Sequence, residues 1–261
     1  MKQGKLFIGT SGWNYSGWRE IFYPENLKSQ DFLRFYSSQF KTVEVNYSFY
    51  HLPKPTTCIK WYNQTPKDFV FSVKASRFIT HIKRLKGVKI SWRKFLENAL
   101  NLKEKLGPIL FQFPPNFKAT EENIKRLKNF LSISRGRTSP KLSSILGGST
   151  SKNLKWAFEF RHPSWCEEKI YKLLRKNKVG WVIADSSRYP KAEAVTADFI
   201  YIRMHGPKEL FASKYPRKEI KNLASKIKKW LKQDLDVYVY FNNDAMGYAV
   251  ENAKALIALV G

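Results

Sequence analysis

The stretch "VYVYFNND", residues 237–244, runs through five aliphatic and aromatic side chains and then stops on Asn242, Asn243 and Asp244. A short apolar run of this kind is how a strand covered on both sides by other structure reads. Its polar close has two readings. Asn-Asn-Asp is a good turn signal, and three hydrogen-bonding side chains at one strand end are also a fair beginning for a binding site. Other strand ends in the chain decide between them.

Similar runs recur at "KLFIGT" (5–10), "TVEVN" (42–46), "FVFSVK" (69–74), "ILFQF" (109–113), "KWAFEF" (155–160), "GWVIAD" (180–185) and "FIYIRM" (199–204), and the eighth is "DVYVYF" (236–241). Helical patterns at 29–40, 56–64, 91–105, 120–131, 164–177, 216–233 and 245–259 separate most of them. Thr120 before Glu121 and Glu122 marks a capped helix start, and Ser91 is expected to cap another. Eight strands alternating with helices over about 250 residues predict an α/β fold, a single (β/α)8 TIM-like barrel. An open doubly wound sheet would carry a glycine-rich phosphate turn after its first strand, and the glycines of "GTSGWNYSGW" do not fit that spacing. Residues 186–198 are too short and polar for a regular helix, so one barrel helix is expected to be missing or degenerate between strands six and seven. The Ser-, Gly- and base-rich stretch 135–153 reads as a mobile insertion within one domain spanning 1–261. "FPP" at 113–115 predicts a sharp turn, with Phe113–Pro114 and Pro114–Pro115 as candidates for a cis bond.

The composition, 43% hydrophobic and 26% charged, is that of a water-soluble globular protein. Neither a signal-peptide-like start nor a membrane-length apolar stretch is found, and Cys58 and Cys166 fit no metal or redox spacing. A cytoplasmic location with free thiols is therefore expected. The charge is unusual: 47 Lys and Arg against 21 Asp and Glu give +26. Such a surface attracts polyanions from a distance and makes nucleic acid the expected partner. Adaptation to a hot or saline habitat is the competing account, but thermophile surfaces usually balance Lys with Glu.

In a barrel, function sits where strands end. Those positions hold Trp13; Glu44 and Asn46; Lys74 and His81; Gln112; Glu159 and Arg161; Asp185; Arg203 and His205; and Asn242, Asn243 and Asp244. Seven of the eight ends thus carry an amide, carboxylate, imidazole or cation. Turn chemistry alone would not place Glu44 and Glu159 inside apolar runs, where an unpaired carboxylate is costly. The strand ends together read as a polar site.

The motifs "IGTSGWNYSGWREIFYP", "TVEVNYSFYHLP", "FSVKASRFITH", "GPILFQFPPNF", "FEFRHPSW", "YIRMHG" and "FNNDAMGYAVENA" resemble the YecE-like family of uncharacterised barrel proteins. The resemblance runs through nearly the whole chain outside 135–153 and implies a TIM-like barrel with its motifs gathered at one end. The likeness of that family's barrel to endonuclease IV suggests nucleic-acid binding, an analogy at the level of fold.

From the residues themselves, Glu44, Glu159, Asp185 and Asp244 are candidates for general acid and base, with His205 beside them. The competing reading makes them ion-pair partners, Glu159 with Arg161 and Asp244 with Arg203 or Lys74. No HxH or HxxxH pair points to a transition metal, and an oxygen-rich Mg or Mn site stays open. The absence of GxSxG, Walker and CxxC sequences disfavours serine hydrolases, nucleotide hydrolases and dithiol redox chemistry. Residues 75–90 hold Arg77, Lys83, Arg84, Lys86 and Lys89 and no acid, which suits a clamp on phosphates or a merely solvated loop. Aromatics crowd the same face at Trp13, Tyr15, Trp18, Tyr47, Phe49, Tyr50, Trp165 and Tyr215. Many of them read as core, while Trp13 and Tyr15, in a Gly-rich turn, offer faces for a base or a sugar. The expected function is a nucleic-acid-processing hydrolase cleaving a phosphodiester or glycosidic bond. In that reading Lys74, Arg161 and Arg203 hold anionic oxygens while His205 and Asn242 to Asp244 orient the substrate. The alternatives are an enzyme for a small phosphorylated or sugar substrate, and a non-catalytic DNA- or RNA-binding barrel.

Overall fold

In a computed structural model describing residues 3–135 and 154–261, the eight apolar runs become eight parallel strands. They are β1 (Leu6–Thr10), β2 (Thr42–Val45), β3 (Val70–Lys74), β4 (Leu106–Gln112), β5 (Trp156–Glu159), β6 (Gly180–Asp185), β7 (Phe199–Met204) and β8 (Asp236–Phe241). Each strand from β2 onward pairs with its successor and β8 returns to β1, giving a nearly closed TIM-like (β/α)8 barrel. The helices between them include α1 (Phe32–Gln39), α2 (Tyr47–Tyr50), α3 (Pro55–Gln64), α4 (Lys89–Ala99), α5 (Glu121–Arg135), α6 (Glu168–Lys176), α7 (Arg217–Lys232) and α8 (Tyr248–Val260).

The ring is loosest between β1 and β2, which meet at a Ser11–Glu44 bridge rather than along a ladder. A side chain completes the seam. The amide of Thr10 donates to the Tyr36 hydroxyl at 2.9 Å, and that hydroxyl donates to the Thr42 carbonyl at 3.1 Å. Gly9 is required there, because a Cβ would stand 2.2 Å from the Thr42 carbonyl oxygen.

Local signals were mostly obeyed. The Thr120 hydroxyl accepts from the Asn123 amide at 3.3 Å, as an N-cap should. Ser91 does not cap: α4 begins at Lys89 after Val88, so Ser91 falls inside the first turn. All peptide bonds of the described residues are trans, so "FPP" turns the chain without a cis bond. Residues 186–198 cross from β6 to β7 without a helix, as expected. Thr196 fastens that crossing by accepting from the Trp181 amide at 2.7 Å and donating to the Val179 carbonyl at 2.6 Å. Of the insertion expected at 135–153, Arg135 ends α5 and 136–153 lie outside the described residues.

Alternation of side chains along each strand sorts the core into two parts. A large apolar layer packs the outer sheet face against the helices, while Leu110, Ala157, Val182, Phe199, Tyr201, Tyr238 and Tyr240 fill the barrel. The inner tyrosines are hydrogen-bonded across it, Tyr240 to the Thr42 hydroxyl at 2.8 Å and Tyr201 to the Ser72 hydroxyl at 2.6 Å. Two residues further along the same inward rows come Glu44, Lys74, Gln112, Glu159, Arg203 and Asn242. The period-two rule thereby gathers polar groups from different strands at one end of the barrel.

Candidate functional site at the barrel mouth

Arg203 forms the floor. It is 1% exposed, and its Nε and Nη2 donate to the two oxygens of Glu44 at 2.9 and 2.7 Å. Its Nη1 donates to Glu159 at 2.6 Å. Glu44 also accepts from the Ser11 and Tyr201 hydroxyls, both at 2.7 Å, and Glu159 from Arg161 Nε at 2.7 Å. Burial alone would raise both carboxyl pKa values, but the Arg203 charge and these hydrogen bonds outweigh it. Glu44 is held below the usual carboxylate range and Glu159, with Arg161 adding to the pull, well below it. Both acids stay ionised and lie beneath the cavity surface, so they hold cations rather than transfer protons. The guanidinium occupies the space between them. Among the described residues no group of three or more His, Cys, Asp and Glu is placed to hold a metal ion.

His205 is fully buried beside this floor, with its Nε2 3.6 Å from Glu159 and its Nδ1 accepting from the Asn242 amide at 3.1 Å. Burial and the Arg203 charge lower its pKa to about 4, so it is a neutral spacer that orients Asn242.

Above the floor opens a cavity of about 740 Å3. Tyr15, Asn46, Lys74, Arg77, His81, Gln112, Arg161, Asn242 and Asp244 line it together. His81, depressed to about 4 by burial and the Lys74 and Arg161 charges, is neutral as well. Asp244 differs from the floor acids. The Tyr15 hydroxyl donates to its Oδ2 at 3.0 Å, while Oδ1 is buried without a hydrogen-bond partner. It has no ion pair with Arg203 or Lys74, contrary to the pairing considered from sequence. Burial pushes its pKa from 3.8 up to about 7, with the negative Glu44 adding to the rise. Lys74 moves the opposite way: burial and the Arg203 charge lower it from 10.5 to about 7. Two ionisable side chains of one cavity are thus poised near neutrality from opposite directions, a pattern typical of proton-transfer sites. A second orphan acceptor, Asn46 Oδ1, lies in the same wall.

Other expected residues are elsewhere. Asp185 lies outside the mouth. Its Oδ1 accepts from the Tyr215 hydroxyl at 2.8 Å, Oδ2 pairs with Lys191, and it lines a separate groove of about 380 Å3 against α7. Trp13 packs edge-on against Trp61, with ring centres 5.5 Å apart, and lines another pocket. Asn243 turns inward to donate to the Ser213 carbonyl and the Asn252 side chain, both at 3.0 Å. The "FNND" close is therefore both things at once: Asn242 and Asp244 face the cavity and Asn243 secures the turn. Lys83 and Arg84 follow a helical turn, Phe78–Ile82, that carries them past the cavity lining. Arg84 donates to the Asn116 side chain at 3.2 Å and Lys83 stays exposed, so together with Arg77 they form a basic rim.

Two residues of the mouth were missed, Phe211 and Tyr189. Phe49, Tyr50 and Phe211 supply its aromatic wall. Tyr189, 4.1 Å under the Arg161 guanidinium, positions that cation. Phe49 and Tyr50 were visible as aromatics just after a strand, whereas nothing in the sequence marks Phe211 or Tyr189.

Comparison with known proteins places this barrel. The UPF0759 protein YunF of Bacillus subtilis is 26% identical over 291 residues, covering 98% of this chain and 94% of that protein. The UPF0759 protein YecE of Escherichia coli K12 is 26% identical over 199 residues, covering 73% of this chain and 64% of that one. A crystal structure of a DUF72 family protein from Thermotoga maritima superposes with a TM-score of 0.82 at 29% identity, over 98% of this chain and 99% of that one. The family described as "Protein of unknown function DUF72" matches residues 7–261, and the chain, with its YecE-like motifs, belongs to it.

Proposed function

We propose that this protein is a cytoplasmic nucleic-acid-processing hydrolase that cleaves the glycosidic bond of a nucleotide drawn into the barrel mouth. One observation carries the reading: Asp244, a carboxyl with a pKa near 7 and one unpartnered oxygen, faces a cavity walled by aromatics and cations. A base taken out of its strand needs aromatic faces to replace lost stacking, and Phe49, Tyr50 and Phe211 offer them. Arg77 and Arg161 suit the flanking phosphates, and the basic rim suits the strand beyond. Protonated Asp244 gives its proton to the departing base as the bond to the sugar carbon breaks, a water adds its oxygen to that carbon, and the proton this water sheds returns to the Asp244 carboxylate. This is general acid catalysis by a carboxyl raised into the working range.

A second reading has its own support. The volume of about 740 Å3 also fits a free sugar phosphate, within the usual range for small-molecule sites.

Turnover of deaminated, abasic and undamaged oligonucleotides, measured beside nucleotides and sugar phosphates, tests both. The expected result is base release that falls as pH rises past about 7, and an Asp244→Asn variant slower by about 10²–10⁴-fold. An Asp244→Asn protein as active as its parent would sink the proposal. Turnover confined to the small substrates would transfer it to the second reading.

A further inference from the structure

Among the described residues two lysines are buried, and they differ in one respect. Lys105, 4% exposed, donates to the Tyr62 carbonyl at 2.6 Å, the Thr65 carbonyl at 2.8 Å and the Thr65 hydroxyl at 3.1 Å. That is a saturated structural ammonium. Lys74 is 9% exposed, and its side-chain amine has no hydrogen-bond or ion-pair partner among the described residues. Its Nζ stands 4.1 Å from the centre of the Phe49 ring and opens into the mouth cavity. The carboxylates below it are already taken, Glu44 by Arg203 and Glu159 by Arg203 and Arg161. Its stem is well fixed: the Lys74 carbonyl accepts from the Ser48 hydroxyl at 2.6 Å, and the next amide donates to the Leu110 carbonyl at 2.8 Å. A desolvated amine on a rigid strand end, facing a cavity rather than a counter-charge, is the environment of an activated nucleophile.

We propose that Lys74 condenses with the aldehyde carbon of a phosphate-bearing open-chain sugar, forming a covalent imine. This rests on the reading above, because glycosidic cleavage of a nucleotide leaves such a sugar in the mouth. The amine lone pair attacks the carbonyl carbon, and the carbonyl oxygen takes a proton from Asp244. The resulting carbinolamine nitrogen returns a proton to Asp244, which passes it to the departing hydroxyl. Amine, aldehyde and the protonated acid thus become protonated imine, water and the Asp244 carboxylate, with no oxidant or reductant consumed. Neutral amine and protonated acid coexist around pH 7, since both groups titrate there.

Two sources share this chemistry, an abasic site within a strand and a free sugar phosphate. Borohydride reduction of the full-length protein mixed with an abasic-site oligonucleotide, or with ribose 5-phosphate, distinguishes them. The expected result is a single reduced adduct that peptide mapping places on Lys74, with trapping reduced at least about ten-fold in Lys74→Arg. Capture of the oligonucleotide at much lower concentration than ribose 5-phosphate assigns the nucleic-acid source, and the reverse assigns the small one. Adducts spread over surface lysines in the parent protein, or none, overturn the proposal without need of any variant. Trapping begins from a preformed aldehyde, so it is independent of base release. Release without trapping removes only the role of Lys74, and trapping without release removes only the hydrolase reading.

Discussion

Replacing Asp244 by Asn should make the protein more stable at alkaline pH and slightly less stable at acid pH. In the unfolded chain the carboxyl titrates near 3.8, and in the folded protein near 7. A pKa raised by folding means that stability is fully present below pH 3.8 and is lost as pH rises toward 7. At about 1.4 kcal/mol for each unit of pKa, ionised Asp244 costs the fold on the order of 4 kcal/mol above neutrality. The amide of Asn removes that ionisation but buries a donor at the unpartnered Oδ1 position, a loss of about 1 kcal/mol. The net gain at pH 8 is then roughly 2–3 kcal/mol, or about 5–10 °C in Tm for a chain of this length. It should shrink steadily on acidification and change sign near pH 4 to 5, by the same arithmetic of about 1.4 kcal/mol per unit. Urea unfolding of parent and variant from pH 4 to 9 gives the curve directly. A variant less stable at every pH, with no trend, would show that Asp244 is an ordinary solvated carboxylate and would remove the argument for its acid role.

Lys74→Met should show the mirror image. The folded pKa lies below the unfolded 10.5, so stability is present above 10.5 and lost as pH falls through about 7; the variant should gain most at pH 6 and nothing at pH 11, and a gain that does not vary with pH would refute the shifted amine. Glu159→Gln should cost about 3–5 kcal/mol by leaving Arg203 and Arg161 undercompensated, and a loss in urea melts below about 1 kcal/mol would mean the floor is not an ionic structure. Changing Arg77, Lys83, Arg84 and Lys86 to Ala should flatten the salt dependence of single-stranded DNA binding by at most about 3 in log–log slope, and an unchanged slope would take the rim out of the interface.

The barrel was legible because eight apolar runs with helices between them leave few alternatives, and the bare 186–198 crossing was visible as a lack of helical pattern. The seam was not. Nothing in the sequence tells Tyr36 from any other helix aromatic, because its partners Thr10 and Thr42 reach it only through folding. Within the site, Glu44 and Glu159 announced buried charge by sitting in apolar strands. Their common partner Arg203 lies 159 positions from Glu44, beyond any local pattern. Asp185 was misplaced although its strand contained the answer. Val182 belongs to the barrel interior, so Ala184 shares its face and Asp185 points outward. The Asn242–Asp244 close resisted reading for the opposite reason, since alternation lapses where the strand gives way to a turn.

Arg203 on β7 is bonded to Glu44 on β2 and Glu159 on β5, so one guanidinium acts as a hub for strands set well apart around the ring. A ring spoked in this way cannot widen or flatten at that level without separating buried charges. Adjustment to a guest is left to the collar above it. There the chain already adopts left-handed backbone at Arg84 (φ 46°), Leu85 (φ 65°) and Phe211 (φ 68°), conformations that side-chain-bearing residues hold only under constraint. The seat of the mouth is rigid by its ionic bracing, and any fitting to the shape of a ligand belongs to the two loops that overhang it.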